Sequence, residues 1–323
     1  MKKNIAVVMG GYSSEYNISL KSGQVVASHI DKQLFNIFPI IIEKDRWYYN
    51  EQPDVTVDKN DFSITIDNQK INFDCVFNVI HGTPGEDGKL LGYFEMLDIP
   101  HTSAPAYQMA LTFNKRDCLS ALKPYGIKMA TSYYLNQGEP IHEEEIIEKV
   151  GLPCFVKANR AGSSFGVSKV NTPEELLPAI EVSFKEDNEI IIESFLDGRE
   201  VTVGVFKYKG ETTVLPITEI ISENDFFDYE AKYEGKSQEI TPADLQTDLQ
   251  KKIEETAIKV YNLLQMEGFS RTEYIIINDE PHILEMNTVP GMTEASIIPQ
   301  QAQAAGIPLK DLLTNAIDMA IKK

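Results

Sequence analysis

The sequence predicts an α/β protein whose first third is built on a parallel sheet. Three observations predict it. Residues 4–9 form a short apolar run with β-branched members, and Gly10-Gly11 ends it ahead of a helical stretch, the pattern of a strand covered on both faces. Runs of the same kind recur at 38–42 and 75–80, with helical spacing in between and beyond. The 323 residues amount to about two domains at ~150 each, or three small ones, and 42% hydrophobic with 24% charged residues is ordinary globular usage. That composition excludes disorder, collagen and a long coiled coil.

The elements follow in order. A helix over 19–29 succeeds the first glycine turn, and 38–42 and 75–80 supply the second and third strands. Leu90, Leu91, Phe94 and Leu97 give 88–97 helical spacing. Pro100 and Pro105 bracket a turn-rich stretch that marks a first domain boundary. Beyond it 115–125 reads as a helix, 154–157 and 167–170 as strands flanking a loop at 159–166, 174–184 as a helix opened by Pro173, and 189–193 as a strand. Leu196-Asp197-Gly198 marks a second boundary. Strands at 200–208 and 214–219 precede a polar, aromatic stretch at 222–241. Ile253, Ala257, Val260 and Leu264 share one face of an amphipathic helix over 249–265. Strands at 271–277 and 282–286 surround a turn at 278–281, and helices over 296–305 and 309–321 close the chain.

Charge and cysteine usage narrow the partners. Lys and Arg total 30 against 49 Asp and Glu, a net charge of −19. An acidic surface repels phosphate backbones and anionic lipid, so neither nucleic acid nor a membrane is an expected partner, and an anionic substrate needs local cations. No run approaches the ~18 apolar residues of a membrane span. The first apolar run, 5–9, is too short for a secretory h-region. Cys75, Cys118 and Cys154 are odd in number, widely spaced and set beside apolar neighbours, which points to buried thiols in a reducing cytoplasm rather than to disulfides or zinc.

Four segments carry chemistry. Glu285 and Asn287 are two apart on a strand and so share a face, and Glu273 on the neighbouring antiparallel strand can join them. Two carboxylates and an amide oxygen suit Mg²⁺, which takes few protein ligands and completes its shell with phosphate and water. A solvated polar strand face is rejected, because 274–277 and 282–284 around it read as core. Lys157 ends an apolar strand ahead of the glycine- and serine-rich loop 159–166, which can close over phosphates with N–H groups and hydroxyls, although no G-K-[ST] makes it a P-loop. Loops after the first and third strands, 10–15 and 81–88, lie at the carboxyl edge of the sheet, where open α/β folds bind ligands, so Glu15 and His81 can meet one ligand. Turn chemistry and a helix cap compete with that reading of the first loop. The segment 228–233, with its tyrosines, is either a packing lid or an exposed insertion.

Eight segments in order give the chain a family resemblance: GGYSSEYNISLKSG, HGTPGEDGKLLG, Asn114-Lys115, FVKANRAGSSFGVSKV, IIESFLDGREVTV, FFDYEAKY, RTEYI and LEMNTVPGMTEASIIP. The sequence resembles the D-alanine–D-alanine ligases of the ATP-grasp superfamily over nearly its whole length. The resemblance implies a three-domain ATP-grasp architecture: an N-terminal α/β substrate domain at 1–102, a central ATP-grasp subdomain at 103–193, and a C-terminal subdomain at 194–323 carrying lid and Mg²⁺ site. It implies that Lys115 and Lys157 contact the phosphates of ATP, that Ser164 joins them, that Glu193, Phe195 and Leu196 line the adenine hinge, and that Glu200 binds ribose. Lys232 would reach the phosphates from the lid. Glu273, Glu285 and Asn287 would hold two Mg²⁺ ions, for which Mn²⁺ can substitute. Glu15 would hold the ammonium of the first D-alanine in a set with Ser163 and Tyr233, with His81 nearby. Arg271 and the N–H of Gly291 would stabilise an oxyanion, and Ser296 would bind the carboxylate of the second D-alanine. A cytoplasmic homodimer serving peptidoglycan precursor synthesis is the family expectation.

The chain departs from the family pattern at Tyr16-Asn17, where a charged pair is usual, at Ala158 and Ala161, where proline and glutamate are common, and at Glu273, where aspartate is usual. The last keeps an oxygen ligand on a longer arm. The competing readings are a D-alanine–D-lactate or other ATP-grasp amino-acid ligase, a silent nucleotide-binding module, and a nicotinamide dehydrogenase. The complete metal set with Arg271 argues against the second, and the broken glycine fingerprint against the third.

Overall fold

The computed structural model describes residues 2–222 and 237–322. In chain order the elements are β1 (Lys3–Gly10), α1 (Tyr16–His29), β2 (Phe35–Ile42), β3 (Trp47–Tyr49), β4 (Ile64–Ile66), β5 (Gln69–Ile71), β6 (Cys75–Asn78), α2 (Lys89–Met96), α3 (Ala106–Phe113) and α4 (Lys115–Leu122). There follow β7 (Ser132–Asn136), α5 (Glu143–Val150), β8 (Cys154–Ala158), β9 (Ser168–Val170), α6 (Leu176–Ser183) and β10 (Glu189–Ser194). The last third holds β11 (Arg199–Tyr208), β12 (Glu211–Val214), β13 (Thr218–Ser222), β14 (Ser237–Ile240), α7 (Thr247–Leu263), β15 (Ser270–Ile277), β16 (Glu280–Asn287), α8 (Ile297–Ala304) and α9 (Leu309–Ile321).

The chain is α/β, and its first sheet has the order β3-β2-β1-β6. β1 pairs in parallel with both β2 and β6. Both faces of β1 are covered. Ile5, Val7 and Met9 join a cluster with α1 and with Leu312, Leu313 and Ile317 of α9, while Ala6 and Val8 join one that reaches Val201 and Tyr274. That two-sided burial explains why the strand is continuously apolar instead of alternating. A second sheet, β7-β10-β8-β9, is antiparallel and has a core of its own with α5 and α6. A third sheet runs β14-β13-β11-β15-β16, with β12 on β11. The cores of the first and third sheets are continuous, and Met109, Cys118 and Leu119 of α3 and α4 belong to that shared core.

Several elements depart from the sequence reading. The 214–219 strand divides into β12 and β13, with Pro216 between them. The turn between the last two strands is two residues long rather than four. Asn278 and Asp279 have φ of 50° and 58°, and Ile277 pairs with Glu280, so Pro281 lies inside β16. Two positive φ angles in a two-residue loop make a type I′ turn, whose twist matches that of the strands. Proline is tolerated there because β16 ends its sheet. The hairpin β4–β5, β7, α3 and α5 had no counterpart in the sequence reading.

Among the described residues, no helix is long and apolar enough to cross a membrane. Cys75, Cys118 and Cys154 are buried thiols outside any disulfide, and burial pushes the Cys118 thiol up to about 12.

Candidate functional site

A cleft of about 450 Å³ opens between the second and third sheets. Lys115, Lys157 and Ser164 line it, with Glu193, Phe195 and Leu196 at the end of β10 in the second sheet and Glu200, Glu273 and Glu285 on the third. Lys115 owes its place to the residue before it. Asn114 caps α4 by accepting from Asp117 N–H, and Asn159 holds that cap through a 2.8 Å bond to Asn114 Oδ1. Lys157 on β8 faces Ile191 of β10, and Glu193 lies two residues further on, diagonal to it.

Three carboxylates of the cleft are paired with cations. Lys157 Nζ lies 2.9 Å from Glu193 Oε2, Lys115 Nζ 2.9 Å from Glu285 Oε2, and Arg271 Nη1 2.5 Å from Glu273 Oε1. Burial works to lower the Lys157 ammonium, and Glu193, Glu285 and Glu273 more than offset it, so it is held above the usual lysine value. Lys115 also donates to the Ala161 carbonyl at 2.7 Å, which ties the third sheet to the loop 159–166. Glu193 Oε1 is buried without a hydrogen-bond partner among the described residues, an acceptor waiting for a donor.

Glu273 and Glu285 stand directly opposite each other on β15 and β16, and Arg271 stands opposite Asn287. The pairing slips between Glu273 and Tyr274, so the polar face ends where the core-facing residues begin. Among the described residues, no three of His, Cys, Asp and Glu cluster as a dedicated metal cage would require. Two carboxylates and the amide oxygen of Asn287 are instead the sparse, hard-oxygen set that suits Mg²⁺ shared with phosphates. The donor set therefore fits that ion.

The second group of residues lies on the far side of the loop 159–166. Glu15 is the N-cap of α1, where the helix dipole favours a carboxylate, and Ser163 Oγ donates to its Oε1 at 2.6 Å. A Cβ on Gly162 would sit 2.7 Å from both Glu15 oxygens, so only glycine allows that approach. Glu15 faces a separate cleft of about 890 Å³ bordered by Tyr12, Asp87 and Arg160. His81 is buried, with Nε2 3.3 Å from Ser22 Oγ and a hydrogen bond to the Val289 backbone. Burial lowers its pKa, only partly opposed by Glu15 and Val289, so the ring is neutral at pH 7. Arg271 Nη1 also donates to Thr202 Oγ1 at 3.1 Å. Ser296 caps the start of α8, and its hydroxyl accepts from Thr293 N–H at 3.1 Å. A Cβ on Gly291 would meet that hydroxyl at 2.7 Å.

Two residues absent from the sequence reading belong to this region. Glu86 is buried and accepts from Gly82 N–H at 2.6 Å and from Val289 N–H at 3.3 Å. Burial and the neighbouring Glu15 push it up to about 8, against the two backbone donors and Lys115. Ser22 is fully buried beside His81. Both stand in segments quoted for the resemblance, but their types suggest only a turn and a helix face, and nothing local marks them. Lys232 and Tyr233 lie outside the described residues.

Comparisons with known proteins bear on the whole chain. The family model described as D-ala D-ala ligase N-terminus matches residues 4–104, and that described as D-ala D-ala ligase C-terminus matches 122–318. The D-alanine–D-alanine ligase of Flavobacterium johnsoniae is 64% identical over 321 residues, 99% of each chain. The crystal structure of the VanG D-Ala:D-Ser ligase from Enterococcus faecalis is similar at a TM-score of 0.86 and 32% identity, covering 99% of this chain and 100% of the other. That of the D-alanine–D-alanine ligase from Bacillus anthracis complexed with ATP gives 0.80 and 27%, covering 99% and 97%. Family models that together span most of the sequence, and a relative this similar over its full length, leave one conclusion: the chain belongs to the D-alanine–D-alanine ligase family.

Proposed function

We propose that the chain joins two molecules of D-alanine into D-alanyl-D-alanine at the expense of ATP, through an acyl phosphate, as a step in making peptidoglycan precursors. The observation that carries this reading is the meeting of Lys115, Lys157, Glu273 and Glu285 in one cleft with Glu193 and Glu200. One D-alanine carboxylate attacks the γ-phosphorus, the bond to the β-phosphate oxygen breaks, and ADP leaves. The amine of the second D-alanine, once deprotonated, attacks the acyl carbon and releases phosphate. Transfer of this kind needs positioning and charge neutralisation more than a covalent nucleophile.

Each residue has a task in this reading. Lys115, Lys157 and Ser164 hold the phosphates, with Lys232 reaching in from the lid. Glu193, Phe195 and Leu196 hold adenine, a role supported by the unpaired Glu193 Oε1, and Glu200 holds ribose. Glu273, Glu285 and Asn287 would hold two Mg²⁺ ions, or Mn²⁺ in their place, which when bound neutralise charge on the transferring phosphoryl group. Lys115 and Arg271 would exchange their present carboxylate partners for ligand oxygens once substrates are bound. Glu15 holds the first D-alanine in a set with Ser163 and Tyr233, on the side that His81 borders. Arg271 and Gly291 N–H receive the oxyanion, where fixed donors act on developing charge. Ser296 receives the carboxylate of the second D-alanine at the start of α8, where backbone N–H groups favour an anion.

The same reading divides the chain at 102/103 and 193/194 and makes it a cytoplasmic homodimer, the compartment being supported by three buried thiols outside any disulfide. The deciding experiment is ADP release with D-alanine, L-alanine and D-lactate supplied in turn. Release and dipeptide formation with D-alanine alone are expected. Equal release with all three would sink the substrate assignment, and depsipeptide from D-lactate would move the chain to the alternative acceptor.

A further inference from the structure

We propose that Glu86 and Ser22 are positioning residues for the backbone N–H of Gly291, holding it where the oxyanion of acyl transfer develops. The inference rests on the ligase reading above and deepens it. The segment from Val289 to Met292 is gripped at both ends by side chains of the N-terminal region. Glu86 Oε1 accepts from Val289 N–H at 3.3 Å while its Oε2 accepts from Gly82 N–H at 2.6 Å. Ser22 Oγ accepts from Met292 N–H at 3.4 Å and lies 3.3 Å from His81 Nε2. His81 bonds the Val289 backbone as well. The two gripped amides sit on either side of Pro290-Gly291.

Two constraints make that grip effective. Proline fixes its own φ, so anchoring the residues on both sides leaves the Gly291 peptide little freedom. On the remaining side Gly291 lies against Ser296, whose hydroxyl would be 2.7 Å from a Cβ there. Glu86, Ser22 and His81 are all buried, so their bonds are shielded from competing water. Val289 N–H is shared between Glu86 Oε1 and Asn287 Oδ1, the latter at 3.1 Å, so the same amide links the loop to the end of β16. Donors for an oxyanion must be held to within a fraction of an ångström, and a misplacement of about 1 Å costs on the order of 10²-fold.

The consequence is specific to the second half-reaction. A displaced Gly291 N–H slows attack by the amine but leaves phosphoryl transfer to the first D-alanine intact. The acyl phosphate then waits, and water attacks its phosphorus, a step that develops no oxyanion on the acyl carbon; the P–O bond breaks and the D-alanine carboxylate leaves. The products are D-alanine and phosphate, and the net reaction becomes ATP hydrolysis.

The test compares Glu86→Gln and Ser22→Ala with the wild type, measuring phosphate released per dipeptide formed together with Tm and ATP affinity. In Glu86→Gln the side chain keeps its shape, but one acceptor oxygen becomes an NH₂ facing a backbone N–H. Ser22→Ala removes a single oxygen from a buried site, so it gives a reading even where Glu86→Gln lowers stability. We expect dipeptide formation to fall by about tenfold or more in each, phosphate per dipeptide to rise clearly above one, and ATP affinity to hold. A ratio that stays at one in both variants, whatever the loss of rate, overturns the positioning role. Wild-type protein that releases no phosphate with D-alanine fails differently, because it overturns the ligase reading itself.

Discussion

The nucleotide cleft and the amino-acid side of the site neutralise charge in opposite ways. The cleft carboxylates Glu193, Glu285 and Glu273 are each matched to a cation, Lys157, Lys115 and Arg271. Around the amino-acid side the carboxyl groups of Glu15 and Glu86 meet hydroxyls and backbone N–H groups instead. The first arrangement is exchangeable, because a long side chain can leave one partner for a phosphate or a metal. The second is fixed, since a backbone amide moves only with its whole loop. A site that must accept and release a highly charged nucleotide, and then hold a small zwitterion in one orientation, needs both.

The comparison can be broken by three measurements, taken from the largest effect to the smallest. Glu285→Gln keeps the shape but removes the anion that both the metal and Lys115 require. We expect kcat to fall on the order of 10³-fold at saturating Mg²⁺ with the fold retained. Near-normal turnover would take Glu285 out of the metal set and leave the cleft without its exchangeable partner.

Arg271→Lys tests where one region ends and the other begins. Lysine keeps the charge but loses the planar fork that now reaches Thr202 and Glu273 together. The expected loss is about 10²-fold in kcat with ATP affinity almost unchanged. If ATP affinity collapses while kcat holds, Arg271 belongs to the nucleotide region and the boundary moves.

The smallest effect on turnover, about tenfold, belongs to Glu86→Gln, and the pH dependence of its stability sharpens the contrast on the buried side. Glu86 titrates near 8 in the folded chain, well above an ordinary glutamate, because burial and Glu15 oppose its charge. Between about pH 4.5 and 8 the unfolded chain has lost a proton that the folded chain keeps. Stability therefore falls through this window as pH rises, and above it the cost is constant. Glutamine at this position cannot titrate, so the Tm of Glu86→Gln should gain on the wild type from pH 5 to pH 8 and level off beyond. A Tm difference that is flat with pH would show that Glu86 ionises like an exposed glutamate.

The parts of the fold legible in the sequence were those with a strong local period or an unbroken apolar run. The strands at β1, β15 and β16 and the amphipathic α7 fall close to where the pattern put them. The face shared by Glu285 and Asn287, and the place of Glu273 across from it, follow from a period of two and one hairpin. β7, α5 and the hairpin β4–β5 escaped because short elements carry too few repeats of any period. α3 escaped because two prolines nearby read as turns, although a helix starts directly after Pro105.

By itself, then, the amino-acid sequence determined the α/β class, the order of the segments and the chemistry each could offer. Only the tertiary structure decided which of them meet. Ser163 and Glu15 are 148 residues apart in the chain, Glu86 and Val289 are 203 apart, and Ser22 and Met292 are 270 apart. Periodicity reports on neighbours within a turn or two of backbone. Contacts of this span depend on how the first sheet closes against the third and its loops, through apolar burial that has no direction and favours no particular partner. That closure brings Glu86 and Ser22, unremarkable in their own segments, to the loop that carries Gly291.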